Sequence, residues 1–169
     1  MTLMEIVSLP TPVLRRKAHK VEKFDNELQV LVEDMIETMR DAPGVGLAAP
    51  QVNVSQRLIV VEYGADEDET IPKKLYVVAN PEIKPLSEEK ELGVEGCLSV
   101  PGLVGEVERF TKIQVKGQNR RGQPIKITAE GWLARIFQHE LDHLNGVLFP
   151  DIALDVWKPS EEEEEILKD

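Results

Sequence analysis

The sequence predicts an α+β fold in which antiparallel strands wrap around one buried central helix. Three observations carry this. Residues 131–144 have helical spacing yet are apolar on most sides, with Leu133, Phe137, Leu141 and Leu144 covering much of the surface, which marks a helix enclosed by other elements. Residues 104–110, 112–118 and 124–129 read as antiparallel strands, the last two joined as a hairpin through Arg120-Arg121-Gly122-Gln123. Residues 26–40 carry a single apolar stripe of Leu28, Leu31, Val32, Met35, Ile36 and Met39, as suits a helix laid against a core.

In chain order, residues 4–15 form an extended entry segment in which Pro10 and Pro12 deny regular helix. His19 follows in a charged stretch without a second ligand at a useful spacing, and reads as solvent-facing. Asp25 is placed to cap the helix over 26–40, which ends where Pro43 and Gly44 break it. Residues 57–63 and 75–79 are short apolar strands, separated by an acidic, turn-like loop over 64–74. A mixed stretch with Pro85 and several glutamates leads to Cys97. The central helix starts near Gly131 or Trp132 and stops at Asn145-Gly146. Residues 147–157 are apolar enough to pack back onto the body, whereas the glutamate run over 161–165 reads as a solvated tail.

A chain of 169 residues supports one proper core, so one domain is expected over residues 1–157, followed by an acidic tail over 158–169. The formal charge is −11, of which the tail contributes −4 and the body −7, and no basic cluster offers a nucleic-acid surface. No stretch is long or apolar enough to span a bilayer, and no secretory signal opens the chain; a cytoplasmic protein is expected, or an organellar one whose transit peptide has been removed. The single cysteine excludes an internal disulfide and leaves a thiol free for a metal.

The chemistry centres on Gln138-His139-Glu140-Leu141-Asp142-His143. Two histidines four residues apart stand one helical turn apart on the same face, so both rings can bind one ion, with Glu140 directed toward the same region. A catalytic site of this kind takes three protein ligands and leaves a fourth position open. Cys97, in Glu95-Gly96-Cys97-Leu98-Ser99-Val100-Pro101, is the favoured third ligand once a metal is accepted; a lone cysteine is otherwise most often a small core residue. A third segment, Gly44-Val45-Gly46-Leu47-Ala48-Ala49-Pro50-Gln51, lacks the lysine and the strand-before-helix context of phosphate and dinucleotide loops. Gly46 there allows a bound peptide to approach the backbone, and Gln51 offers an amide donor.

Together, in this order, these three segments closely resemble the motifs of peptide deformylase. The resemblance implies hydrolysis of the formyl group on the N-terminal methionine of newly made polypeptides, with formate released. It implies that the formyl oxygen is met by the Gln51 amide and the Leu98 backbone N–H, that Glu95 pairs with Arg109, and that ferrous iron is the active metal, with zinc, nickel or cobalt able to occupy the site. A divalent ion makes water nucleophilic at neutral pH. Glu140 is expected to move the proton, from water to the departing amine. Val45, Trp132, Ile136 and the His139 ring are expected to border the first substrate side chain. Asp142 reads as a residue that orients the helix or supports the metal ligands from behind, and Arg135, polar in an apolar helix, as one that reaches solvent or edges this pocket. A nascent-chain substrate is compatible with transient ribosome association, though no residue indicates it. The alternatives are a zinc metallopeptidase, which would draw a third histidine or glutamate from the 26 residues after His143, and a binding module with a structural metal.

Overall fold

Asp25 starts the first helix, α1 (Asn26–Asp41), by accepting a hydrogen bond from the Leu28 amide at 3.0 Å. The cap satisfies one of the amides that a helix start leaves without an internal partner. In this computed structural model, which describes residues 2–42, 44–64 and 72–160, α1 buries Leu28, Val32, Met35, Ile36 and Met39. Pro43, most of the loop expected over 64–74 and the glutamate run over 161–165 lie outside the described residues. The entry segment includes a 3-10 turn over Pro12–Arg15, because a proline at the first helical position loses no hydrogen bond.

The strands β1 (Gly46–Ala48), β2 (Leu58–Tyr63), β3 (Lys74–Pro85), β6 (Lys112–Gln118) and β7 (Pro124–Glu130) form an antiparallel sheet in the order β1-β2-β3-β6-β7. A second antiparallel sheet is ordered β4 (Lys90–Cys97), β5 (Val100–Phe110), β8 (Asp155–Trp157). The helix α2 (Gly131–Leu144) contacts both sheets, so the expected arrangement of strands around a buried helix is what the chain adopts.

The continuous apolar run of β2 has a direct structural meaning. Leu58 and Val60 point into a cluster with Val32, Met35, Ile36 and Met39 of α1. Ile59 and Val61 point the other way, into a cluster with Val78, Ile113, Ala134, Phe137 and Leu144. Side chains alternate across a strand, so a strand with a helix on each face must be apolar at every position. Phe137 is fully buried and meets the Tyr76 ring edge-on, 5.4 Å between centroids. Truncating such a phenylalanine typically costs about 3 to 5 kcal/mol.

Three elements depart from the sequence reading. β3 does not stop at Ala79: its pairing with β6 shifts register between Ala79 and Glu82, with Asn80 at φ 53. This bulge is held by the Asn80 side chain, which accepts from the Val21 amide at 2.8 Å and donates to the Val21 carbonyl at 3.0 Å. Gly117 fits beneath it, since a Cβ there would lie 2.7 Å from the Ala79 carbonyl oxygen. The glutamate-rich stretch before Cys97 is the strand β4, whose alternation is hidden because its most buried side chain before Cys97 is the charged Glu95. β5 begins at Val100, four residues earlier than the alternation suggests. The C-terminal segment packs back as expected, through α3 (Phe149–Ile152) and β8, with Leu148 and Phe149 buried.

Candidate metal centre

Helical spacing brings His139 and His143 together on α2, with ring centroids 5.0 Å apart. Cys97 arrives from the end of β4, where the pairing with β5 shifts register between Gly96 and Cys97. One donor atom from each of Cys97, His139 and His143 lies within 4.8 Å of the others, the only such group of histidine, cysteine and acidic residues found among the described residues. Cys97 Sγ stands 3.3 Å from His143 Nε2. Two ligands on one tetrahedral ion, with bonds of about 2.3 Å to sulfur and about 2.0 Å to nitrogen, stand about 3.5 Å apart, so the spacing fits an ion of that size.

The proton arrangement fits as well. His139 Nδ1 lies 2.9 Å from Glu95 Oε1. Burial lowers the proton affinity of this imidazole, but the bonds to Cys97 and Glu95 outweigh it and hold the ring well above its usual range, so an ion at Nε2 would take the place of a proton there while Nδ1 keeps its hydrogen on Glu95. His143 is almost fully buried; burial and then the charge of His139 hold its imidazole well below the usual range, in the neutral form a ligand needs. Its Nδ1 and the Oε1 of Glu140 are buried without a hydrogen-bond partner among the described residues. Burial pushes the Glu140 carboxyl up to about 7, beyond what the neighbouring cations can offset. A carboxyl at that value exchanges protons readily near neutrality.

Gly46 stands against this carboxylate. A Cβ on Gly46 would lie 2.6 Å from Glu140 Oε2, so only a glycine in β1 leaves the acid its place. Gln51 lies in a 3-10 turn over Ala49–Val52 and is 2 % exposed. Its Oε1 accepts from the Ala48 amide at 3.0 Å, which turns Nε2 toward Ser99 Oγ at 3.2 Å and Cys97 Sγ at 3.7 Å. Leu98 occupies the turn between β4 and β5 and is 40 % exposed, with its side chain 3.5 Å from the position a Cβ would take on Gly44. The three sequence segments therefore meet at one place.

Glu95, on β4, ties the centre to β5 and to α2. Its Oε1 accepts from Arg109 Nη2 at 2.8 Å as well as facing His139, and its Oε2 accepts from Arg109 Nε at 2.9 Å and Arg135 Nη1 at 2.6 Å. Burial pushes this carboxyl up, but the bonds from Arg109 and then His139 outweigh it and hold it well below the usual carboxylate range. Arg109 also donates from Nη1 to Asp142 at 2.6 Å, which joins β5 to α2.

Of the two readings of Arg135, reach to solvent is corrected, since the residue is 6 % exposed; its side chain borders a cavity of about 110 Å³ with Leu92, Gly93, Phe110 and Trp132. A signal was present, because an arginine inside an apolar helix needs a buried acid. Too many glutamates precede Cys97 for the sequence to say which. Trp132 borders this cavity, while Val45 and Ile136 lie in the apolar cluster around α2. His19 is exposed and stands outside the metal-ligand group.

The polypeptide deformylase family profile matches residues 3–157. The chain belongs to that family. It is 50 % identical over 165 residues to the peptide deformylase of Symbiobacterium thermophilum, covering 98 % of this chain and 73 % of that one. The crystal structure of peptide deformylase from Thermotoga maritima superposes with a TM-score of 0.84 at 45 % identity, covering 92 % of this chain and all of the other. A class I type b peptide deformylase from Acinetobacter baumannii, solved with Met-Ala-Ser bound, superposes at a TM-score of 0.81 with 38 % identity, covering 89 % of this chain and 98 % of that one. As a deformylase, the chain is a metal-dependent hydrolase that removes the N-terminal formyl group from newly made polypeptides. Membership of this family weighs against the zinc metallopeptidase alternative. No described helix is long and apolar enough to cross a membrane.

Proposed function

We propose that Cys97, His139 and His143 hold one divalent ion with its fourth position open, and that Glu140 is the proton carrier of the deformylase reaction. The observation that carries this reading is the convergence of a cysteine sulfur and two imidazoles beside a buried carboxyl whose Oε1 has no hydrogen-bond partner among the described residues. The ion supplies a nucleophile at neutral pH by lowering the pKa of water. Glu140 takes the proton of the attacking water and passes it to the departing amine, which its raised affinity for protons suits. The Gln51 amide and the Leu98 backbone N–H steady the charge that develops on the formyl oxygen. Losing one such donor costs about 2.7 to 4 kcal/mol in a barrier.

The substrate in this reading is an N-formylmethionyl peptide. Gly46 lies where the peptide backbone passes, and Val45, Trp132 and Ile136 border the first side chain. The Met-Ala-Ser bound to the Acinetobacter relative supports a methionine at that position. Ferrous iron is the resident ion, with zinc, nickel or cobalt able to replace it, since thiolate and imidazole serve all four. Residues 1–157 form the catalytic domain and 158–169 an acidic tail, and the enzyme works in the cytoplasm, in transient contact with the ribosome that presents its substrate.

Anaerobic purification with metal analysis, followed by incubation with formyl-Met-Ala-Ser and with longer formylated peptides, tests this. The expected result is iron bound to the chain, formate released and every internal peptide bond intact. Cleavage of internal bonds would favour the metallopeptidase reading, and a metal-free chain with full turnover would remove the ion.

A further inference from the structure

Arg135 has no part in the assignments above, yet it is buried and makes three hydrogen bonds. Nη1 donates to Glu95 Oε2 at 2.6 Å and to the Val107 carbonyl at 2.9 Å, and Nη2 donates to the Glu91 carbonyl at 2.7 Å. Glu91 lies in β4 and Val107 in β5, so one guanidinium from α2 fastens to both strands and to the carboxylate of Glu95 on β4. Its outer face lies over the Trp132 ring, 5.6 Å from Cζ to the centroid. Its inner face lies against Gly93, where a Cβ would stand 2.7 Å from Cζ and 2.9 Å from Nε and Nη2.

We infer that Arg135 is a positioning residue for the metal ligand His139, acting through Glu95, and that Gly93 is the glycine that admits it. Each Glu95 oxygen carries two donors, Oε1 those of Arg109 and His139, Oε2 those of Arg109 and Arg135. A carboxylate saturated in this way cannot rotate, and Oε1 stays aimed at His139 Nδ1. The charges lead to the same point. Arg109 is shared between Glu95 and Asp142, so without Arg135 one buried cation would face two carboxylates. A buried charge short of a partner rearranges or draws in water, and either would release the imidazole from its bearing.

This inference rests on His139 being a metal ligand. The test is cobalt binding by metal-depleted protein, read as affinity by chelator competition and as the visible spectrum, with kcat and KM on a formyl-Met peptide. Arg135→Met is expected to bind cobalt about 10 to 100-fold more weakly, with shifted ligand-field bands. Its kcat should fall while KM stays within about twofold, since the side chain holds Glu95 and backbone rather than peptide. Arg135→Lys, which keeps a cation near Oε2, should recover most of the affinity.

Unchanged affinity and spectrum in Arg135→Met, even with a lower melting temperature, would overturn the inference, as would a rise in KM alone. If Arg135→Met does not fold, Gly93→Ala keeps every charge and displaces the guanidinium. Weaker cobalt binding with an altered spectrum supports the coupling, and parent-like binding overturns it. Failure of the unsubstituted protein to show a thiolate-to-cobalt band would instead refute the metal assignment itself, and the role of Arg135 with it.

Discussion

Replacing Glu140 with glutamine changes one oxygen to an NH2 group and should separate stability from activity in opposite directions. The side chain is 4 % exposed, and burial lifts its carboxyl from 4.5 to about 7. The folded-state pKa is raised, so the neutral acid's contribution is fully present below about 4.5 and is lost as pH rises through about 7. At about 1.4 kcal/mol per pH unit, the ionised carboxyl destabilises the metal-depleted fold at pH 8 by on the order of 3 kcal/mol. Glutamine never ionises and avoids this cost. In the metal-depleted protein, Glu140→Gln should therefore match the parent near pH 4.5 and exceed it at pH 8, a difference of about 6 to 12 °C in melting temperature. With metal restored, formate release should fall at least about a hundredfold while metal content is kept. Urea unfolding of chelator-treated protein at the two pH values, with a formate assay on the loaded enzyme, provides both readings. Equal stabilities at pH 8 would refute the raised proton affinity, and unaltered formate release would remove Glu140 from the proton transfer.

Other perturbations test neighbouring parts of the site. Cys97→Ser should loosen metal retention and shift the cobalt spectrum, because a soft sulfur becomes a harder oxygen; an unchanged spectrum would refute sulfur ligation. Gly46→Ala should lower turnover by about tenfold or more with metal content preserved, since the new Cβ would stand 2.6 Å from Glu140 Oε2 and push the carboxylate aside. Parent-like kinetics would mean that the strand yields instead. Glu95, whose folded-state pKa is depressed, contributes stability above about 4.5 that is lost as pH falls toward its lower folded value. The gap in melting temperature between the metal-depleted parent and Glu95→Gln should accordingly be wide at pH 7 and shrink progressively as pH falls below about 4.5, and a gap independent of pH would place the effect in packing.

Local periodicity was enough to read α1, α2 and the β6-β7 hairpin, because helical and strand spacing are properties of neighbours in sequence. The same locality made the His139–His143 pair legible, and Asp25 could be read as a cap for the same reason. The partition of the strands into two sheets was not legible, since nothing in β4 or β5 alone says which strand will pair with it. β4 was hidden for a further reason: its buried position is filled by Glu95, a charge that only a folded partner set of Arg109, Arg135 and His139 makes tolerable.

What the sequence by itself determined, then, is the helix that carries two of the proposed ligands, the elements around it and the chemical types available. What only the tertiary structure decided is which residues meet across long stretches of chain. Cys97 reaches His143 because β4 and α2 pack together, Gly46 is small because Glu140 lies against it, and Arg135 turns inward because Glu95 lies there. Spacing along a chain fixes which face a side chain takes. Which other face it will meet depends on closure of the whole core, where burial makes each of these pairings cost too much to leave unmade.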